Sequence, residues 1–132
     1  MSVQTVRDLR ALVTERGPGV YLVTVSAQGG PHTVYTTARW EDGALFAEAG
    51  TTTAANAAAR PLVSLLFPVR ADGDYSLIVD GLATVDAIEH GARLRITPTK
   101  AVLHRQGPSP DPTSSCGADC VPLPLLTMPA ER

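Results

Sequence analysis

The chain predicts a mainly β (α+β) domain, an antiparallel barrel of six or seven strands with two or three covering helices. Three observations carry that expectation. β-rich runs follow one another through short turns, most plainly at Asp42-Gly43, a strong hairpin signal. A single Ala-rich helical run, Ala54–Arg60, is inserted among them. Finally, Gly81 sits inside the long strand run Tyr75–Ile88, where a closing barrel places a bend or bulge.

The elements follow in order. Val3–Arg16 reads as a helix, because Val6, Leu9, Leu12 and Val13 fall on one stripe. Gly17-Pro18-Gly19 stops it. Val20–Ala27 is β-rich and too apolar to be exposed on both faces, and Gln28-Gly29-Gly30-Pro31 turns the chain. Thr33–Trp40 is the next strand, rich in Thr, Val, Tyr and Trp, and the Asp42-Gly43 turn leads into Leu45–Ala49. After the helix, Pro61 precedes a buried strand candidate, Val63–Phe67. A loop with Asp72-Gly73 leads to Tyr75–Ile88. Gly91 breaks the chain again, and two short strands, Leu94–Thr97 and Thr99–Arg105, are expected to hinge at Pro98.

Composition changes at Gln106. Six of the eleven prolines lie in Pro108–Pro129. The expected organisation is therefore a barrel domain over 1–105 and a Pro-rich extended tail over 106–132, with Val121, Leu123, Leu125 and Leu126 available to strap it to the surface or to a partner subunit. The 132 residues suit one domain, and the 44% hydrophobic fraction supports a real core. A net charge of −2 with interspersed signs offers no basic patch for nucleic acid. No apolar run reaches membrane-spanning length, and Met1–Arg16 has no apolar signal region, so a cytoplasmic protein is expected.

The chemistry gathers at Gly50-Thr51-Thr52-Thr53, where a strand ends at a helix start studded with hydroxyls. Free amides and the helix dipole both favour an anion such as phosphate there. Thr51 or Thr53 capping the helix is the competing use of the same residues. His32, His90 and His104 are scattered, read as surface or strand-end residues, and no two stand at metal-ligand spacing. No metal site and no catalytic residue is assigned. Cys116-Gly117-Ala118-Asp119-Cys120 allows a redox thiol pair, half a metal site or two spare thiols on a tail in a reducing compartment.

Taken in order, these segments resemble the FMN-binding split β-barrel, the pyridoxamine 5′-phosphate oxidase-like family, over roughly residues 5–105. The matching features are the Pro31–Ala49 hairpin, the corner Thr51-Thr52-Thr53-Ala54-Ala55-Asn56, and Arg60-Pro61 opening Leu62–Phe67. The strand Val79–Val85 and Ile96-Thr97-Pro98 leading into Leu103-His104-Arg105 complete the set, and the Cys-containing tail resembles those of actinobacterial members. The resemblance implies a homodimer with FMN in the groove between protomers, and a flavin-dependent oxidoreductase acting on a small molecule. It implies cofactor contacts from Thr36, Thr37, Thr51, Thr52, Thr53 and Asn56. Asn56 would orient the corner, against a solvent-facing alternative. Thr36 and Thr37 otherwise read as plain β-formers, and Trp40 as core or dimer interface. The chain departs from the pattern where the family places a basic side chain, because Thr52 and Thr53 are neutral. Arg39, Arg60, Arg70 or an arginine of a second subunit would have to supply that charge. A deazaflavin-dependent reductase ranks second, since no basic groove for an acidic cofactor tail is legible. A split barrel that has lost its cofactor and serves as a binding module is the third reading.

Overall fold

The computed structural model describes residues 9–105 and 119–125. Its elements are α1 (Leu9–Arg16), β1 (Gly19–Val25), β2 (Pro31–Glu41), β3 (Ala44–Ala49), α2 (Thr51–Ala59), β4 (Leu62–Phe67), β5 (Ser76–Ile88), β6 (Gly91–Arg105) and β7 (Asp119–Leu123). All strand pairs are antiparallel. The sheet order is β3-β2-β1-β4-β5-β6-β7, and a further β3–β6 pairing closes six strands into a barrel with β7 added outside.

Two partner changes shape this barrel. β2 pairs with β1 over Pro31–Thr37 and with β3 only over Ala38–Glu41. Among the described residues, its first half therefore has one edge with no strand alongside, next to the corner where β3 gives way to α2. β6 takes β3 along Ala92–Ile96 and β7 along Ala101–Arg105 on the same edge. β7 falls inside the stretch expected as an extended tail, and Leu123 is buried there with Val121 and Leu125 packed against the core.

Alternation fills the interior. Val20, Leu22 and Thr24 of β1, Leu65 and Phe67 of β4, Leu77 and Val79 of β5, and Leu94 and Ile96 of β6 all point inward and are fully buried. One end is covered by α1 through Leu9, Leu12 and Val13, which stand at i, i+3 and i+4. The stripe's earlier residue, Val6, lies outside the described residues. α2 packs Thr53, Asn56 and Ala57 onto the barrel, and its small side chains let the helix approach closely.

The β2–β3 turn is the expected two-residue hairpin, with φ of 51° at Asp42 and 79° at Gly43. One expectation is corrected. The two short strands meeting at Pro98 are a single 15-residue strand, β6. The register shifts between Asp80 and Gly81, so that Asp80 faces Lys100 while Gly81 faces Pro98. Thr99 is the extra residue of this bulge. A proline is tolerated where the ladder is interrupted, because its missing N–H is not needed there. The expected irregularity at Gly81 is the other half of the same feature. A Cβ at Gly81 would lie 2.6 Å from the Thr97 carbonyl oxygen and 2.7 Å from Ile96 Cγ2.

Candidate functional site

A groove of about 480 Å³ opens where β2 has lost its second neighbour. His32, Val34, Tyr35 and Thr36 line one wall, Glu48 to Thr53 the other, and His90 of the β5–β6 turn reaches its rim. Its floor follows from sequence. β3 ends at Ala49, Gly50 turns in extended backbone at φ −80° and ψ −176°, and α2 begins at once. The first helical bond runs from the Ala54 N–H to the Gly50 carbonyl at 2.9 Å. The amides of Thr51, Thr52 and Thr53 precede that bond, so the helix itself gives them no acceptor. Among the described residues no side chain caps the helix. The capping use of Thr51 or Thr53 is thus not adopted, and the dipole end of α2 faces the groove.

The expected contact residues separate. Thr51 and Thr52 are exposed at the helix start, and Thr53 is buried at the groove's base. The Thr36 hydroxyl donates to the Glu48 carbonyl at 2.9 Å, so toward a ligand it acts as an acceptor. Thr37, exposed on β2, does not line the groove. Asn56 is neither in the groove nor solvent-facing. It is 6% exposed, and its Nδ2 donates to Thr24 Oγ1 at 3.1 Å, tying α2 to β1. A position-by-position match to the corner motif gives no means of telling a wall residue from one facing the barrel.

None of the three expected arginines lines the groove. Arg60 Nε donates to the Val25 carbonyl at 2.7 Å, and the Arg70 guanidinium donates to the Arg16 carbonyl. Arg39 pairs in register with Phe46. Its neighbours there are Arg93 and Arg95, whose guanidinium carbons stand 5.5 and 5.9 Å from the Phe46 ring centroid. From sequence, His32 and His90 were read as surface or strand-end residues, not as groove residues. They come from elements far apart in the chain, and only the barrel's closure brings them to one groove. Trp40 is half-buried against the core. Of the cysteine pair, Cys116 lies outside the described residues, while Cys120 faces His104 across the β6–β7 ladder.

No family model matches this chain. Two uncharacterized proteins, from Mycobacterium bovis and Mycobacterium tuberculosis, are each 39% identical over 77 residues, a match covering 54% of this chain and 54% of each relative. The chain thus spans about half the length of these curated relatives. Solved structures agree further. A candidate pyridoxamine 5′-phosphate oxidase from Listeria innocua superposes with a TM-score of 0.61 at 17% identity, over 70% of this chain and 93% of that one. An F420 reductase gives 0.60 at 16% identity, over 73% and 98%. The heme storage protein HutZ from Vibrio cholerae gives 0.55 at 16%, over 70% and 92%. The fold is that of the pyridoxamine 5′-phosphate oxidase-like split barrels.

Proposed function

We propose that the chain is an FMN-dependent oxidoreductase acting on a small molecule, as a homodimer with the groove at the interface. The observation that carries this reading is the uncapped N-terminus of α2 opening into a groove large enough for more than an ion. The amides of Thr51 to Thr53 and the hydroxyls of Thr51 and Thr52 are donors at the helix start, where they would hold a phosphate. Hydrogen bonds to an ionised group contribute about 1.5–3 kcal/mol each, so several amides offset a missing lysine or arginine. Thr36 and the edge of β2 would orient the sugar-like chain beyond the phosphate. FMN, when bound, supplies the hydride chemistry, and the protein supplies binding, orientation and exclusion of water. Exclusion of water is the reason for a second copy, since the groove is open on one side.

The apolar outer face argues for that copy. Tyr35, Tyr21, Leu66, Ile78 and Val102 are consecutive register partners across five strands, forming one row on the outside of the barrel. Tyr35 also lines the groove, so a protomer seated on this row would reach it.

A specific observation also favours a deazaflavin with an anionic tail. Arg39, Arg93 and Arg95 gather around Phe46 beside Glu48, which itself lines the groove, and the buried Arg93 Nε has no hydrogen-bond partner among the described residues. This reading stays second because Glu48 and Asp86 are the register partners of Arg93 on either side, so the cluster is not purely basic.

The test is an absorbance spectrum of the freshly purified protein, repeated after adding FMN and desalting. About one retained flavin per protomer supports the reading. No retained flavin, together with uptake of deazaflavin, moves the assignment to the second reading. Retention of neither leaves the cofactor-free binding module.

A further inference from the structure

We infer that His32 and His90 are the cationic partners of the anion in the groove, taking the place of the lysine or arginine the corner lacks. This rests on the reading of the groove as a phosphate site. Among the described residues they are the only groove-lining residues able to carry positive charge, His32 at the start of β2 and His90 in the β5–β6 turn. The other charged groups around them are few. Glu48 lines the groove from β3, with Arg93 of β6 opposite it in register. Glu89 Oε2 lies 3.9 Å from His90 Nε2, but both side chains are about 90% exposed, so water screens that pair. α2 presents only hydroxyls and amides.

The sign of the linkage follows. A bound phosphate favours the protonated imidazole, so each ring titrates at higher pH in the complex than in the free protein. Binding then takes up protons, and affinity falls as pH rises through the imidazole range. The second ionisation of a phosphate monoester acts the other way, since the ligand gains charge as pH rises above about 6. A site built on arginine would therefore bind more tightly with rising pH, and a site built on these two histidines would not.

The experiment is an NMR titration of the histidine side chains in the full chain, alone, with FMN and with inorganic phosphate. His104 is the internal control, since it lies on β6 opposite Ser76 and Cys120, outside the groove. The expected result is an upward displacement of about one pH unit for His32 and His90, a tenfold preference for the protonated rings, and none for His104. The H32Q/H90Q variant should lose about tenfold for each ring, approaching a hundredfold in FMN affinity at pH 6, and come close to the parent at pH 8. FMN binding with neither ring displaced overturns the inference and leaves the flavin reading intact. Displacement of both rings by inorganic phosphate, without FMN binding, upholds the inference and removes the flavin reading. No response to either ligand overturns both.

Discussion

Asn56 and Thr24 show how a single buried pair places the site. The amide donates to the hydroxyl inside the packing of α2 on β1. Truncating Asn56 to Ala leaves the Thr24 hydroxyl buried without its donor, at an expected cost of about 1–3 kcal/mol. Replacing both, in T24V/N56L, removes the orphan and should recover much of that loss in a urea denaturation series. If the double variant is no more stable than N56A, the pair does not carry the stability assigned to it. Gly81 acts by shape rather than polarity. Valine there would drive its side chain into the Thr97 carbonyl across the bulge, and such overpacking costs about 1–3 kcal/mol. The denaturation midpoint of G81V should fall accordingly, and an unchanged midpoint would show that the bulge opens freely.

At the scale of elements, the start of α2 separates stability from binding. Asp and Gly at an N-cap differ by only a few tenths of a kcal/mol, in favour of Asp. Gly50→Asp should therefore leave the melting temperature unchanged or slightly raised. Its carboxylate would occupy the amides of Thr52 or Thr53 and repel an incoming phosphate, so FMN affinity should fall by about tenfold or more. Undiminished FMN uptake by G50D would mean that the helix end is not where the phosphate sits. This corner was legible in sequence because a strand, a turn glycine and a helix are contiguous there. The hairpin at Asp42-Gly43 was legible for the same reason. The Pro98 bulge was not, because a proline looks like a strand break until its partner, Gly81, is known. His32 and His90 left no local signal, since their meeting is a product of register and closure. Asn56 was misplaced because a nine-residue helix packed on a sheet has an inner face that motif matching does not resolve.

For the whole molecule, the outer row of the barrel decides whether one chain suffices. Tyr21 and Tyr35 lie opposite each other with ring centroids 5.1 Å apart and are 41% and 61% exposed. Leu62 and Leu82, also paired, are 59% and 50% exposed. Scattered exposed apolar residues need no explanation, but a row continuous across five strands exceeds that background. A standard interface buries about 800 Å² on each partner, centred on such apolar residues. The decisive variant keeps the fold and changes only the face. Leu62→Lys with Leu82→Glu, neither of which lines the groove, places opposite charges across the β4–β5 ladder, where such pairs are favourable, so each protomer should keep its thermal stability. Two apposed copies would instead have to desolvate those charges. Sedimentation velocity should show a dimer for the parent and a monomer for the double variant, with flavin retention lost alongside, because the open side of the groove would then face water. A parent chain that sediments as a monomer while still holding flavin would show that the groove is sufficient alone and that the apolar row serves some other contact.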